Sequence, residues 1–300
     1  MEASKPKKKW LTLSRKHNLT GWVFLLPAVL LIVIMNFVPM VQALILSFKT
    51  GIGVNMTWAG LYNYTRMLKD ATFWTALKNT FFYLIIQVPI MLVLALILAQ
   101  MLNDKDLKFK GLFRTAIFLP CATSLVSYAI VFRTLFATDG FVNNVLLNLH
   151  IIDSAINWLG KPGTAKFVII IALIWRWTGY NMVFYLSGLQ NIDYTIYEAA
   201  RIDGANAMQS FWRLTVPLLK PTILLTTIMS TNGTLQLFDE SVNLTSGGPG
   251  NATITLSHYI YNISFKFTPN FGYSAAMSYV IFILVAILAV LQMKVGDTRD

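Results

Sequence analysis

Six stretches of this chain are apolar over about the length that crosses a bilayer. They lie near residues 22–46, 81–102, 115–137, 167–190, 218–240 and 273–293. A membrane helix needs about 20 such residues. No water reaches the bilayer core, so the backbone must satisfy its own hydrogen bonds there, and helices do so within one segment. The chain therefore reads as an all-α integral membrane protein with six transmembrane helices. Charged residues make up 12% of the 300, about half the share in a soluble domain. That is too few to cover a water-facing surface. The third and fifth stretches are the more polar. Pro27, Pro39 and Pro89 fall inside spans, where neighbouring helices can satisfy the freed backbone groups.

Basic residues orient the spans. Residues 1–21 form a basic head containing KPKKKW, and residues 294–300 form a short tail. The apolar run after the head is too long for a signal-peptide core and is expected to be retained. With the N-terminus inside, fifteen Lys and Arg fall in inner segments and seven in outer ones; Arg133 and Arg176 lie within spans. Lys and Arg collect on the cytoplasmic side, which places both termini in the cytoplasm. The net charge of +11 is read in the same way, and not as a nucleic-acid surface.

Several chemistries find no support in the sequence. His17, His150 and His258 are scattered, and Cys121 is the single cysteine. Neither a metal set nor a disulfide follows from them. No Gly-x4-Gly-Lys-Ser/Thr phosphate loop is present; GKPGT at 160–164 lacks the first glycine. The chain is expected to bind no cofactor itself and to be no enzyme. A stand-alone secondary transporter would need a carboxylate in mid-span, and only Asp239 and Glu240, at one end of the fifth stretch, are available. Both are expected at the outer water boundary.

Between the fourth and fifth spans, on the inner side, lies YEAARIDGANAMQSFWRLTVP, residues 197–217. Thr195 and Glu198 have the spacing of a capping box, and Glu198 in a first turn would suit the helix dipole. Gly204 can end that helix in a left-handed conformation. A second amphipathic segment, AMQSFWRL, follows. Small residues here would let another protein approach closely.

These residues resemble the signature loop of ABC importer permeases: Glu198-Ala199-Ala200, then Gly204, then Leu214-Thr-Val216-Pro217. Asp193 stands where that family commonly has Pro, and is an alternative cap. LTSGGPGNAT at 244–253, with Gly247, Gly248 and Pro249, looks like a segment of the carbohydrate-importer permeases. NFVPMVQALILSF and NTFFYLIIQVP add to the match, which covers nearly the whole chain and is closest to the maltose and glycerol-phosphate types, in particular the first, maltose-F-like permease.

The resemblance implies a type I ABC importer permease fold over 22–293, with a cytoplasmic EAA coupling helix in the loop 194–217. It implies a heterodimer with a second permease subunit, a cytoplasmic ABC ATPase dimer that holds ATP and Mg, and an extracytoplasmic solute-binding protein. The setting would be the lipid of a bacterial inner or plasma membrane. Glu198, Ala199, Ala200, Asp203 and Gly204 would couple to the ATPase. The substrate would be a sugar, most simply an oligosaccharide and possibly an acidic one, with a glycerol-phosphate or other polyol importer as the alternative.

The pathway is expected between the fourth and fifth spans. Arg176, Trp177, Tyr180 and Asn181 on one, and Asn232, Gly233, Thr234 and Gln236 on the other, mix aromatic faces with amides and hydroxyls, as sugar binding requires. Packing is the competing role for Tyr180, and helix–helix hydrogen bonding for Asn232 and Gln236. A charge on Arg176 inside a span is expensive. It calls for a carboxylate of the protein or an acidic group of the substrate.

Overall fold

A computed structural model of the protein describes residues 13–52, 55–104 and 106–296. The head up to residue 12, Lys105 and the last four residues of the tail lie outside them. Among the described residues the helices are α1 Leu13–Ile32, α2 Val38–Ser47, α3 Tyr62–Leu68, α4 Ala71–Asn103, α5 Lys110–Ala122, α6 Leu125–Leu135, α7 Phe141–Asn148 and α8 Pro162–Gln190. The second half has α9 Tyr194–Ile202, α10 Ala207–Ser210, α11 Val216–Leu218, α12 Lys220–Leu235, α13 Asp239–Asn243, α14 Leu256–Tyr261 and α15 Phe271–Gly296. The one departure from an all-helical fold among the described residues is an antiparallel pair of strands, β1 Lys49–Ile52 and β2 Asn55–Trp58, which pairs Lys49 with Trp58.

Among the described residues, four helical stretches are long and apolar enough to cross a membrane unbroken: His17–Ser47, Ala71–Asn103, Pro162–Gln190 and Phe271–Gly296. The third and fifth expected spans are broken pairs. Lys110–Ala122 meets Leu125–Leu135 at 99°, and Ala207–Leu218 meets Lys220–Leu235 at 69°. Proline shapes the chain in a second way. The π-helical turns Val33–Phe37 and Phe211–Thr215 each end two residues before a proline, Pro39 and Pro217. A proline ring clashes with the carbonyl four residues back, here that of Met35 or Arg213, and the wider turn gives it room.

The fifth span was expected over 218–240, but its helix ends at Leu235. The chain then turns, and α13 packs against α6 and α8. Glu240 is thereby buried, 3% exposed, and not at the outer water boundary.

The helix pair α4 and α8 forms the spine of the bundle. One core lies where α8 meets α6 and the turn after α12, around Tyr128, Phe132, Val168, Ile169 and Leu237. A second joins the starts of α4 and α15 to α14 through Phe73, Leu256, Tyr273 and Met277. There Asp70 caps α4 by accepting from the Thr72 and Phe73 amides, and its other oxygen accepts the Tyr259 and Tyr273 hydroxyls at 2.6 and 2.7 Å. Burial works to raise the Asp70 carboxyl, but these donors outweigh it and hold the group below its usual value. By contrast α1 is exposed from Asn18 to its end, showing Trp22, Phe24, Leu26 and Ile32 to the surroundings.

Candidate functional site

The loop 194–217 is built as two caps and a left-handed turn. Asp193, not Thr195, starts α9: its carboxylate accepts the Thr195 amide at 3.0 Å. Helix α9 thus begins one residue before Thr195, and Glu198 falls in its second turn. The capping box forms further on, where Asn206 and Gln209 each accept the other's backbone N–H at 2.8 and 2.9 Å. Between the two, Gly204 has φ +81°. The Gly204 amide donates to the Arg201 carbonyl and the Ala205 amide to that of Ala200, which is the Schellman pattern. Glu198, Ala199, Asp203 and Gly204 are exposed. So are the apolar side chains of Ile202, Met208 and Trp212, Ile202 to 86%.

The second feature is a cavity of about 370 Å³ between α4, α8 and the end of α12. Trp177, Tyr180 and Asn181 line it from α8; Ser230, Gly233 and Thr234 line it from α12; and Gln236, Asp239 and Glu240 close it beyond the helix. Trp177, Tyr180 and Phe184 form a ladder of edge-on rings spaced 5.9 and 5.1 Å, of which only the first two reach the cavity. Asn181 is fixed by donating to the Trp177 carbonyl at 3.0 Å and accepting from Ser230 at 3.4 Å. Several wall residues escaped the sequence reading, among them Ser230 on α12 and Gln87 and Met91 on α4. Gln87 accepts from Thr234 at 3.2 Å and donates to the Met91 sulfur. The signal for Gln87 was present: a glutamine in an otherwise apolar span.

Two expected pathway residues lie elsewhere. Asn232 is exposed away from the wall, and its amide oxygen accepts from Gln236 at 2.6 Å. Arg176 is 5% exposed but turned behind the cavity, against the break between α5 and α6. Its terminal nitrogens donate to the carbonyls of Pro120, Cys121 and Thr123 and to the Thr123 hydroxyl, at 2.9 to 3.4 Å. Breaking a helix frees such carbonyls, and a guanidinium offers a fork of donors for them. Its expected carboxylate partner is thus replaced by backbone oxygen. The guanidinium also lies 4.7 Å over the Tyr128 ring, whose hydroxyl donates to Glu240 at 2.6 Å.

The segment 244–253 is a tied loop. Gly247 has φ +79°, a conformation that glycine adopts without strain. Thr253 donates to the Gly248 carbonyl at 2.8 Å and contacts Thr245 at 2.6 Å; Ser241 donates to the Thr253 carbonyl and meets His258 Nδ1, both at 2.8 Å. Pro249 follows within the loop. His258 is buried, and burial, with a smaller push from Lys266, lowers it to about 4. Asn79 on α4 reaches over to the Asn251 and Ile254 carbonyls. The motif fastens α13 and α14 to α4.

The family described as binding-protein-dependent transport system inner membrane component matches residues 19–297. The chain belongs to that family. It is 53% identical over 290 residues to the lactose transport system permease protein LacF of Rhizobium radiobacter, covering 96% of this chain and 97% of that one. The arabinooligosaccharides transport system permease protein AraP of Halalkalibacterium halodurans is 36% identical, covering 94% and 89%. Among solved structures, a bacterial ABC transporter involved in the import of the acidic polysaccharide alginate has a chain that superposes with TM-score 0.83, at 22% identity and over 94% and 96% of the two chains. That likeness shows the shared type I permease fold. As a member of this family the chain is a multi-pass membrane protein and a transport component.

Proposed function

We propose that the chain is one permease subunit of an ATP-driven, binding-protein-dependent carbohydrate importer, and that an oligosaccharide is its cargo. The observation that carries this is the cavity wall. Two aromatic rings stand beside fixed amides and hydroxyls, in a space within the roughly 300–1,000 Å³ of ligand sites. Amides and hydroxyls suit the ring hydroxyls of a sugar, and Trp177 and Tyr180 suit its apolar faces. The relatives are named for lactose and arabinooligosaccharides, which supports the same substrate class.

In this reading the exposed, doubly capped loop around Glu198 and Gly204 faces the cytoplasm and docks on a separate ATPase dimer, which holds ATP and Mg. A second permease completes the pathway, and an extracytoplasmic binding protein delivers the sugar at the end carrying Gly247, Gly248 and Pro249. Both termini then lie in the cytoplasm of a bacterial cell. Binding at the ATPase moves the loop, and α9 passes that motion through the following segment to α12 and the cavity.

Uptake of radiolabelled lactose and arabinooligosaccharides into proteoliposomes holding the complete importer tests this. Uptake should need both the binding protein and internal or external ATP at the loop side. Uptake driven by an ion gradient without ATP would overturn it in favour of a secondary transporter.

A further inference from the structure

We infer that Asp239 and Glu240 make this cavity selective for uncharged sugars, and that Glu240 is the specificity-determining residue that turns acidic sugars away. The inference rests on the cavity being the sugar site.

The sequence left two roles open for Arg176, and the geometry removes the one that would attract an anion. The guanidinium is absent from the cavity wall, and its terminal nitrogens donate to the backbone oxygens at the break between α5 and α6. No Lys, Arg or His is among the residues that line the cavity, whereas Asp239 and Glu240 both are. Tyr128 donates to one Glu240 oxygen, Oε1, at 2.6 Å and holds the side chain in place. The Glu240 carboxyl so held is part of the cavity lining. Asp239, half-buried beside it, offers a second acceptor.

A neutral sugar brings hydroxyl donors, which such acceptors match. A uronate or aldonate brings a carboxylate to a place that already holds two. Like charges a few ångströms apart in a poorly solvated site oppose each other strongly; the wall itself supplies no cation, and the Arg176 guanidinium, behind it across the Tyr128 ring, offsets Glu240 only weakly. Discrimination through an added repulsive element is an established route to specificity.

The test uses the complete importer in detergent, without its binding protein, so that the selectivity of the binding protein does not enter. Radiolabelled lactose is displaced by unlabelled lactose or by lactobionate, which has the same galactose and a carboxylate. Lactobionate should compete at least about ten-fold more weakly, a gap of about 1.4 kcal/mol. Glu240→Gln keeps an acceptor for Tyr128 and should narrow the gap to within about two-fold; Asp239→Asn, at a less buried position, should narrow it in part. Equal displacement by the two sugars in the unaltered complex would overturn the inference and leave the sugar site standing. So would a gap unmoved by both substitutions. A complex that binds neither sugar would overturn the sugar site itself, and the inference with it.

Discussion

Gly179 on α8 lies against the backbone of Ile117 on α5, so closely that a Cβ placed on Gly179 would run into the Ile117 carbonyl oxygen. Small residues at such crossings are what let membrane helices pack without a hydrophobic drive between them. Gly179→Ala should force α5 away from α8 and cost about 1–3 kcal/mol, the usual range for overpacking. Thermal unfolding of the purified importer measures it. An unchanged Tm would show that α5 gives way freely.

Gly204 presents the opposite case. Nothing lies near its absent side chain, yet its φ is +81°, and a residue with a Cβ pays about 1–2 kcal/mol there. Gly204→Val should loosen the turn between α9 and α10 while the chain still inserts. Sugar uptake is expected to fall at least about ten-fold, with ATP hydrolysis retained and protein level unchanged. Normal uptake would remove the turn from the coupling route.

Arg176 satisfies the Cys121 and Thr123 carbonyls at the break between α5 and α6 and adds a third bond to Pro120, whose oxygen already accepts from Thr123. Arg176→Lys keeps the charge but loses the planar fork. Leaving a buried acceptor without a donor costs about 1–3 kcal/mol. The variant should melt correspondingly earlier, and Arg176→Ala earlier still. If Arg176→Lys melted normally but lost sugar binding, the structural role would be wrong and a ligand role right.

His258 gives a pH dependence with a definite sign. Its folded value is lowered to about 4, against about 6.5 in an unfolded chain. The unfolded state therefore takes up the proton first. Stability from neutral His258 is complete above about pH 6.5 and is lost as pH falls from there towards 4. His258→Gln should flatten that part of a Tm-against-pH curve. A wild-type curve level from pH 7 to 4.5 would contradict it.

Four unbroken spans were legible because apolar length alone decides them, and the loop 194–217 stood out because its charges, small residues and glycine break that pattern. What the sequence hid were partners supplied by the backbone. Arg176 appeared to need a counter-ion because a charge in a span is visible and a broken helix is not; the carbonyls at Pro120, Cys121 and Thr123 exist as acceptors only after α5 ends. Glu240 was misplaced for a similar reason. An apolar run gives no sign that its helix stops at Leu235 and that the next turn folds inward. At α9 the sequence offered two caps, Asp193 and Thr195, and only the geometry of the preceding turn selects Asp193.

Asp70 has a mechanical consequence. Its carboxylate receives hydroxyls from Tyr259 and Tyr273, 189 and 203 residues further along the chain. For α14 and the start of α15 to slide together past the start of α4, both bonds to a charged group must break, at about 1.5–3 kcal/mol each. Tilting about that point breaks neither. The bundle is buttoned at one end, so helix movement within it is a swing from that button, with the largest excursion at the opposite membrane face.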